Sequence, residues 1–220
     1  MNWVNKMRRR NIKNATEKLN KFDEIMIFNA KDYKGNMNSL FPTKQPIHLE
    51  IGMGKGKFII GLAKKNPDIN YIGFEKYDSV ILQAVTKAEE EHLSNLKMMS
   101  ADATNLLDYF EVGEIDKIYL NFSDPWPKSR HAKRRLTSPN FLKLYEVVTK
   151  NPTEIEFKTD NRKLFEYSLI TFNECGYKFV ELSLDLHKDA ELENFSIVTT
   201  EYEDKFSSMG NPIYYVKVTK

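Results

Sequence analysis

The sequence predicts an α/β fold, a doubly wound, seven-stranded and mostly parallel sheet whose last strand runs antiparallel. Three observations carry that expectation. From Ile47 onward, short apolar runs alternate with amphipathic stretches, the pattern of parallel strands joined by helical crossovers. A glycine-rich turn, Gly52-Met-Gly-Lys-Gly56, joins the first run to the first amphipathic stretch. The last two runs, 178–185 and 213–218, have no strong helix pattern between them and read as a hairpin-like pair, which inserts the final strand antiparallel.

In order along the chain, residues 1–45 are polar, weakly periodic and punctuated by Gly35, Pro42 and Pro46. They read as an N-terminal arm, partly helical and partly flexible, ahead of a single domain over 46–220. Residues 47–52 read as a buried strand and 57–65 as a helix. Residues 69–74 form the second strand, and 79–93 a helix with Val80, Ile81, Ala84, Val85 and Ala88 at helical spacing. The third strand spans 96–100, a helix 104–110 and the fourth strand 117–122. Ser138 precedes Pro139, an N-cap followed by proline at the first helical position, so a helix opens there and runs to 150. A fifth strand (154–158), a helix (162–174) closed by Gly176, and the final pair complete the pattern. The acidic segment 186–194 reads as a solvated loop.

Composition narrows the function classes. At 220 residues the chain is long enough for a proper single-domain core. No apolar run approaches the roughly 18 residues of a membrane span. The basic Arg8-Arg-Arg10 has no apolar stretch behind it, so the first residues do not read as a signal peptide. Cys175 is the single cysteine, which excludes an intrachain disulfide and leaves no thiol cluster for zinc. The expectation is a cytoplasmic protein, monomer or homodimer, with no membrane or metal partner. Net charge is only +2, so any basic surface is local.

The glycine turn follows a strand and opens a helix, where backbone N–H groups and the helix dipole favour negative charge. A dinucleotide motif G-x-G-x-x-G would need glycine at 57, which is lysine; a P-loop would need Ser or Thr at 58, which is phenylalanine. Acids accompany the turn instead. Glu75 ends the second strand 19 residues past Gly56, where a carboxylate can accept both hydroxyls of a ribose. Asp102 follows the third strand, placed to accept from an adenine amino group, and Glu50 is a charge inside a strand that should be buried. Acids at three neighbouring strands suit a nucleoside with a cationic centre better than a pyrophosphate.

After the fourth strand comes Ser123-Asp-Pro-Trp-Pro-Lys-Ser-Arg-His-Ala-Lys-Arg-Arg135. Pro125 and Pro127 stiffen the segment behind Asp124. Lys128, Arg130, Lys133, Arg134 and Arg135 then put five cations within eight residues, a landing surface for a polyanion. Trp126 reads as a scaffold contact that sets the loop, although a tryptophan there can also stack on a base.

The turn and its acids resemble the class I S-adenosylmethionine methyltransferases, a Rossmann-like fold whose first motif is an acid followed by G-x-G-x-G. The D-P-W-P-K loop with its basic tail is similar to a signature of the tRNA (guanine-N7-)-methyltransferase family. Phe157-Lys-Thr-Asp160 and Thr200-Glu-Tyr-Glu203 follow in the family's order, and the resemblance runs from about Ile47 to the C-terminus. It implies S-adenosylmethionine as cofactor, bound by Glu50, Gly52, Gly54, Gly56, Glu75, Asp102 and Asp124. It implies a target nucleotide held by Lys128, Asp160, Thr200, Glu201, Tyr202 and Glu203. Arg130, His131, Lys133, Arg134 and Arg135 would grip tRNA, whose guanine 46 in the variable loop would be the acceptor.

The residues agree with that chemistry. Guanine N7 carries an in-plane lone pair and loses no proton on methylation, so carboxylates that align it and stabilise moving positive charge suffice. Asp124 is the first candidate for this catalytic task. Two alternatives stay open on the sequence: another RNA position or a protein as acceptor, and an RNA-binding module whose cofactor pocket is vestigial. Thr200 and Glu203 also match the S/T-x-x-E capping box of a short helix.

Overall fold

The computed structural model describes residues 12–193 and 197–220. The apolar runs become strands β1 (Ile47–Ile51), β2 (Asn70–Glu75), β3 (Leu96–Ser100), β4 (Lys117–Asn121), β5 (Glu154–Thr159), β6 (Lys178–Ser183) and β7 (Tyr214–Thr219). They form one sheet in the order β3-β2-β1-β4-β5-β7-β6, with β7 antiparallel to both of its neighbours and every other pairing parallel. Strand order reverses between β1 and β4. In such sheets ligands sit outside the carboxyl ends of the strands at that reversal.

The period-3.6 stretches become α1 (Ala15–Leu19), α2 (Lys57–Lys65), α3 (Asp78–Glu91), α4 (Leu106–Tyr109), α5 (Pro139–Val148), α6 (Arg162–Glu174), α7 (Leu186–Glu193) and α8 (Glu201–Ser207). Helices α2 and α3 bury Phe58, Ile59, Ile81 and Val85 against one face of the sheet, with Tyr71, Met98 and Tyr119. Helices α4, α5 and α6 bury Leu106, Leu142, Tyr145, Phe165 and Phe172 against the other, with Leu49, Ile118 and Phe157. Both faces are therefore covered over β1, β2, β3, β4 and β5, which explains why those strands read as apolar runs rather than alternating ones; edge strand β6 stays largely exposed.

Several details differ from the sequence expectation. The segment 186–194 is not a plain loop: its described part is α7, because Leu186 and Ala190, four residues apart, turn one face inward. The helix expected over 104–110 breaks into a 3₁₀ turn at Ala103–Asn105 and the short α4, because Asp102 accepts the Thr104 backbone N–H and tightens the first turn. Ser138 and Pro139 do open α5, yet the serine hydroxyl donates to the Lys133 carbonyl at 3.2 Å instead of capping. Residues 12–45 lie on the body: the Ile27 N–H donates to Met98 O and the Met98 N–H to Ile25 O, both at 2.8 Å, beside edge strand β3. Met37 and Phe41 join the core.

Candidate functional site

The carboxylates singled out by sequence stand at the carboxyl ends of adjacent strands. Glu50, in β1, is 1% exposed. Its Oε1 accepts from the Asn121 amide on β4 at 2.8 Å, while its Oε2 has no partner among the described residues. Burial pushes the carboxyl up to about pH 7, opposed by the Asn121 hydrogen bond and the charge of Lys158. The carboxyl is thus only half-satisfied by the described residues, with one buried acceptor left over.

Directly after it, Gly52 and Gly54 have φ of 83° and 57°, and a Cβ on either would meet nothing within 4 Å. The backbone thus turns in the left-handed region beside open space, a cradle that side chains would fill. Glu75 at the end of β2 accepts the Gly54 N–H at 3.2 Å through Oε2, and its Oε1 accepts the N–H groups of Lys76 and Tyr77 at 2.8 and 3.2 Å. Asp102, after β3, accepts from the Thr104 N–H and hydroxyl and pairs with Lys76 at 2.6 Å. The Lys76 contact holds that carboxyl below its usual range. A concavity of about 730 Å³ opens at the ends of β2 and β3, bounded by residues 12–16, Lys76, Tyr77 and Ser100.

Asp124 is exposed on the loop after β4, between two residues in the left-handed region, Phe122 (φ 49°) and Trp126 (φ 40°). Each such residue costs on the order of 1–3 kcal/mol and persists only where its surroundings over-determine it. The Phe122 N–H is held by Lys158 O at 2.9 Å. Trp126 packs edge-on against His131, with the Arg134 guanidinium 4.9 Å from its ring centroid. Residues Ser129–Arg134 form a 3₁₀ helix that holds Lys128, Arg130, Lys133 and Arg134 in solvent. Arg135 is half-buried, its guanidinium turned back onto the loop and 4.1 Å from the Tyr167 ring centroid.

Beyond β5, Asp160 accepts the Tyr202 hydroxyl at 3.2 Å, and the Tyr202 ring lies 5.1 Å from Phe122 and 4.1 Å from Phe206. This brings the start of α8 to the Asp124 loop. Thr200 and Glu203 do form a capping box: Thr200 Oγ1 accepts the Glu203 N–H at 2.9 Å and Glu203 Oε2 accepts the Thr200 N–H at 3.2 Å. Glu203 is fully buried and bonded to Lys158 Nζ at 2.8 Å and His187 Nε2 at 3.0 Å. Its carboxylate therefore faces the scaffold, while Thr200, Glu201 and Tyr202 remain at the rim. Glu201 pairs with Lys87 of α3, and Asp204 with Lys57 of α2. The lysine that spoils a dinucleotide motif at position 57 thus fastens α8.

Sequence reasoning missed Asn121, Lys76, Lys158 and His187, all of which hold a site acid. Only Lys158 left a signal, as a cation inside an apolar strand; the others are ordinary polar residues until the fold sets them opposite a carboxylate. Among the described residues no cluster of His, Cys, Asp and Glu could hold a metal ion, and no helix is long and apolar enough to cross a membrane.

A family model described as "Putative methyltransferase" matches residues 44–216. The chain is 54% identical over 195 residues to the tRNA (guanine-N(7)-)-methyltransferase of Bacillus subtilis, covering 89% of this chain and 90% of that one. It is 52% identical over 200 residues to the same enzyme of Listeria monocytogenes, covering 91% and 92%. Among solved structures, an antibiotic-related methyltransferase superposes with a TM-score of 0.61 at 17% identity, over 90% of this chain and 96% of that one. Sheet order, glycine cradle and strand-end acids define a class I S-adenosylmethionine-dependent methyltransferase. Within that class, the chain belongs to the tRNA (guanine-N7-)-methyltransferase family.

Proposed function

We infer that this chain transfers the methyl group of S-adenosylmethionine to N7 of a guanine in tRNA, at position 46 of the variable loop, in the cytoplasm. One observation carries the reading: Asp124 stands on a strained loop at the strand-order reversal, flanked by the glycine cradle on one side and a cationic 3₁₀ helix on the other.

The residues fit the cofactor. The unpartnered Glu50 Oε2 suits the ammonium of its amino-acid end, the backbone at Gly52, Gly54 and Gly56 permits close approach, and Glu75 and Asp102 offer acceptors for ribose hydroxyls and an adenine amino group. Bound there, S-adenosylmethionine supplies an electrophilic methyl group on a cationic sulfur. The chain's own work is to bind, align and compensate charge. Asp124 and Asp160 accept from the Watson–Crick edge of guanine, whose N1–H and amino group are donors that adenine does not present together. Their charge balances the positive charge that reaches the base, and no residue need take a proton from N7. Lys128, Thr200, Glu201 and Tyr202 line the nucleotide's side, with Glu203 holding them in place, and Arg130, His131, Lys133 and Arg134 meet the RNA backbone.

Unmodified tRNA incubated with methyl-labelled S-adenosylmethionine should acquire label at guanine N7, mapped by cleavage at the modified base. Label elsewhere, or none, refutes the reading. Asp124→Ala should lower kcat at least a hundredfold with the fold preserved; unchanged turnover would remove Asp124 from the mechanism.

A further inference from the structure

We propose that Arg135 is a positioning residue for the Asp124 loop, and that it clamps the loop through Tyr167 instead of gripping RNA. The clamp rests on the methyl-transfer reading only for its consequence on catalysis; its geometry stands apart from it. Arg135 Nε donates to the Pro125 carbonyl and Nη2 to the Trp126 carbonyl, each at 3.1 Å. The guanidinium carbon lies 4.1 Å from the centroid of the Tyr167 ring on α6. One planar fork therefore fastens two consecutive carbonyls, immediately after Asp124, to a helix packed on the core.

The loop needs such a clamp. Pro125 and Pro127 have no N–H, so the segment has few donors with which to join a ladder or turn. Phe122 and Trp126 both sit in the left-handed region, φ 49° and 40°, on either side of Asp124. The strain must be held from outside, and the Arg135 fork binds Trp126 itself. At its other end, Arg135 is anchored by its own N–H to Ala132 O at 3.0 Å and by its carbonyl to the Ser138 N–H at 2.9 Å, where the 3₁₀ helix meets α5. Arg130, Lys133 and Arg134 differ: they are exposed, and they keep the phosphate-facing role. Lysine cannot replace the clamp, because one ammonium neither bridges two carbonyls as a rigid fork nor stacks as a plane on a ring. A phosphate contact, in contrast, tolerates lysine as a point charge.

The experiment uses the full chain with Trp3→Phe, leaving Trp126 as the single tryptophan, and compares Arg135→Lys, Arg135→Met and Tyr167→Leu. Acrylamide quenching of Trp126 in RNA-free protein reads the loop; kcat, KM for tRNA and the salt dependence of tRNA binding read the consequence. The clamp predicts stronger quenching in all three variants. It also predicts kcat lowered at least tenfold in Arg135→Lys and Tyr167→Leu, with KM for tRNA changed less than threefold and the salt slope of Arg135→Met unchanged. Unchanged quenching in the variants overturns it. So does full turnover in Arg135→Lys with a shallower salt slope, by about one, in Arg135→Met, which is the signature of a lost phosphate contact. If the arginine variants do not fold, Tyr167→Leu decides by the same quenching and kcat criteria. If the parent protein methylates no tRNA, the functional reading falls, while quenching still decides the clamp.

Discussion

Glu50 is where burial and chemistry meet most directly. A carboxyl that is 1% exposed and held by one amide prefers its neutral form, so its ordinary pKa of 4.5 rises to about 7. A folded-state pKa above the unfolded one contributes stability that is complete below about pH 4.5 and is lost as pH climbs through about 7. In ligand-free protein, denaturant unfolding should show stability falling across that window by up to roughly 3 kcal/mol, and Glu50→Gln should flatten the decline. The same substitution removes the ionisable carboxylate that would meet a cationic group, so calorimetric affinity for S-adenosylmethionine should drop at least tenfold. A pH profile that stays steep in Glu50→Gln would place the titration elsewhere. Glu50 was legible in the sequence as a charge in an apolar strand; its partner Asn121 was not, since nothing along the chain relates positions 50 and 121 until β1 and β4 pair.

Helix α8 shows how an element can be carried by charges more than by apolar area. It spans only Glu201–Ser207, and Glu203 is its buried residue. Its attachment runs through Glu203 to Lys158 and His187, Asp204 to Lys57, and Glu201 to Lys87. The Lys158 contact is out of solvent, so removing one partner strands the other as a buried charge. Lys158→Met should cost roughly 3–5 kcal/mol, and adding Glu203→Leu should recover much of it in a double-mutant cycle read by denaturant unfolding. Independent, additive losses would show that the pair does not fasten α8. The capping box was readable from Thr200-Glu-Tyr-Glu203, but the reach of Glu203 across to β5 was not, because it depends on where the antiparallel β7 hairpin delivers the chain. The 3₁₀ helix Ser129–Arg134 is simpler. The proposed function has its exposed cations meet the RNA backbone, and on that reading Lys133→Ala with Arg134→Ala should weaken tRNA binding and make the slope of log affinity against log salt shallower by about two. An unchanged slope would remove these residues from the phosphate contacts.

For the whole molecule, the reversal between β1 and β4 gathers residues far apart in sequence. Glu50 and Glu75 lie near the ends of β1 and β2, Asp102, Asp124 and Asp160 just after β3, β4 and β5, and the order β3-β2-β1-β4-β5 sets them side by side along one edge. A ligand spanning that edge binds only the folded sheet. S-adenosylmethionine at 100 times its Kd should therefore stabilise the native state by about 2.7 kcal/mol, visible as one cooperative shift in thermal unfolding by fluorescence and circular dichroism alike. Local protection without a global shift would argue that the acids do not share a ligand.

The strand and helix patterns, the glycine turn and the acids behind each strand were all written in local order, because periodicity and strand-end position are properties of neighbours along the chain. So was the D-P-W-P-K loop with its basic tail. Tertiary packing supplied the rest. It set Asn121 on Glu50, turned Glu203 inward to Lys158, made a helix of a segment that reads as a loop, and drew Arg135 back from solvent onto the carbonyls behind Asp124. Residue type and spacing state which charges a chain carries, while only the three-dimensional path states which are already answered from within and which still face a ligand.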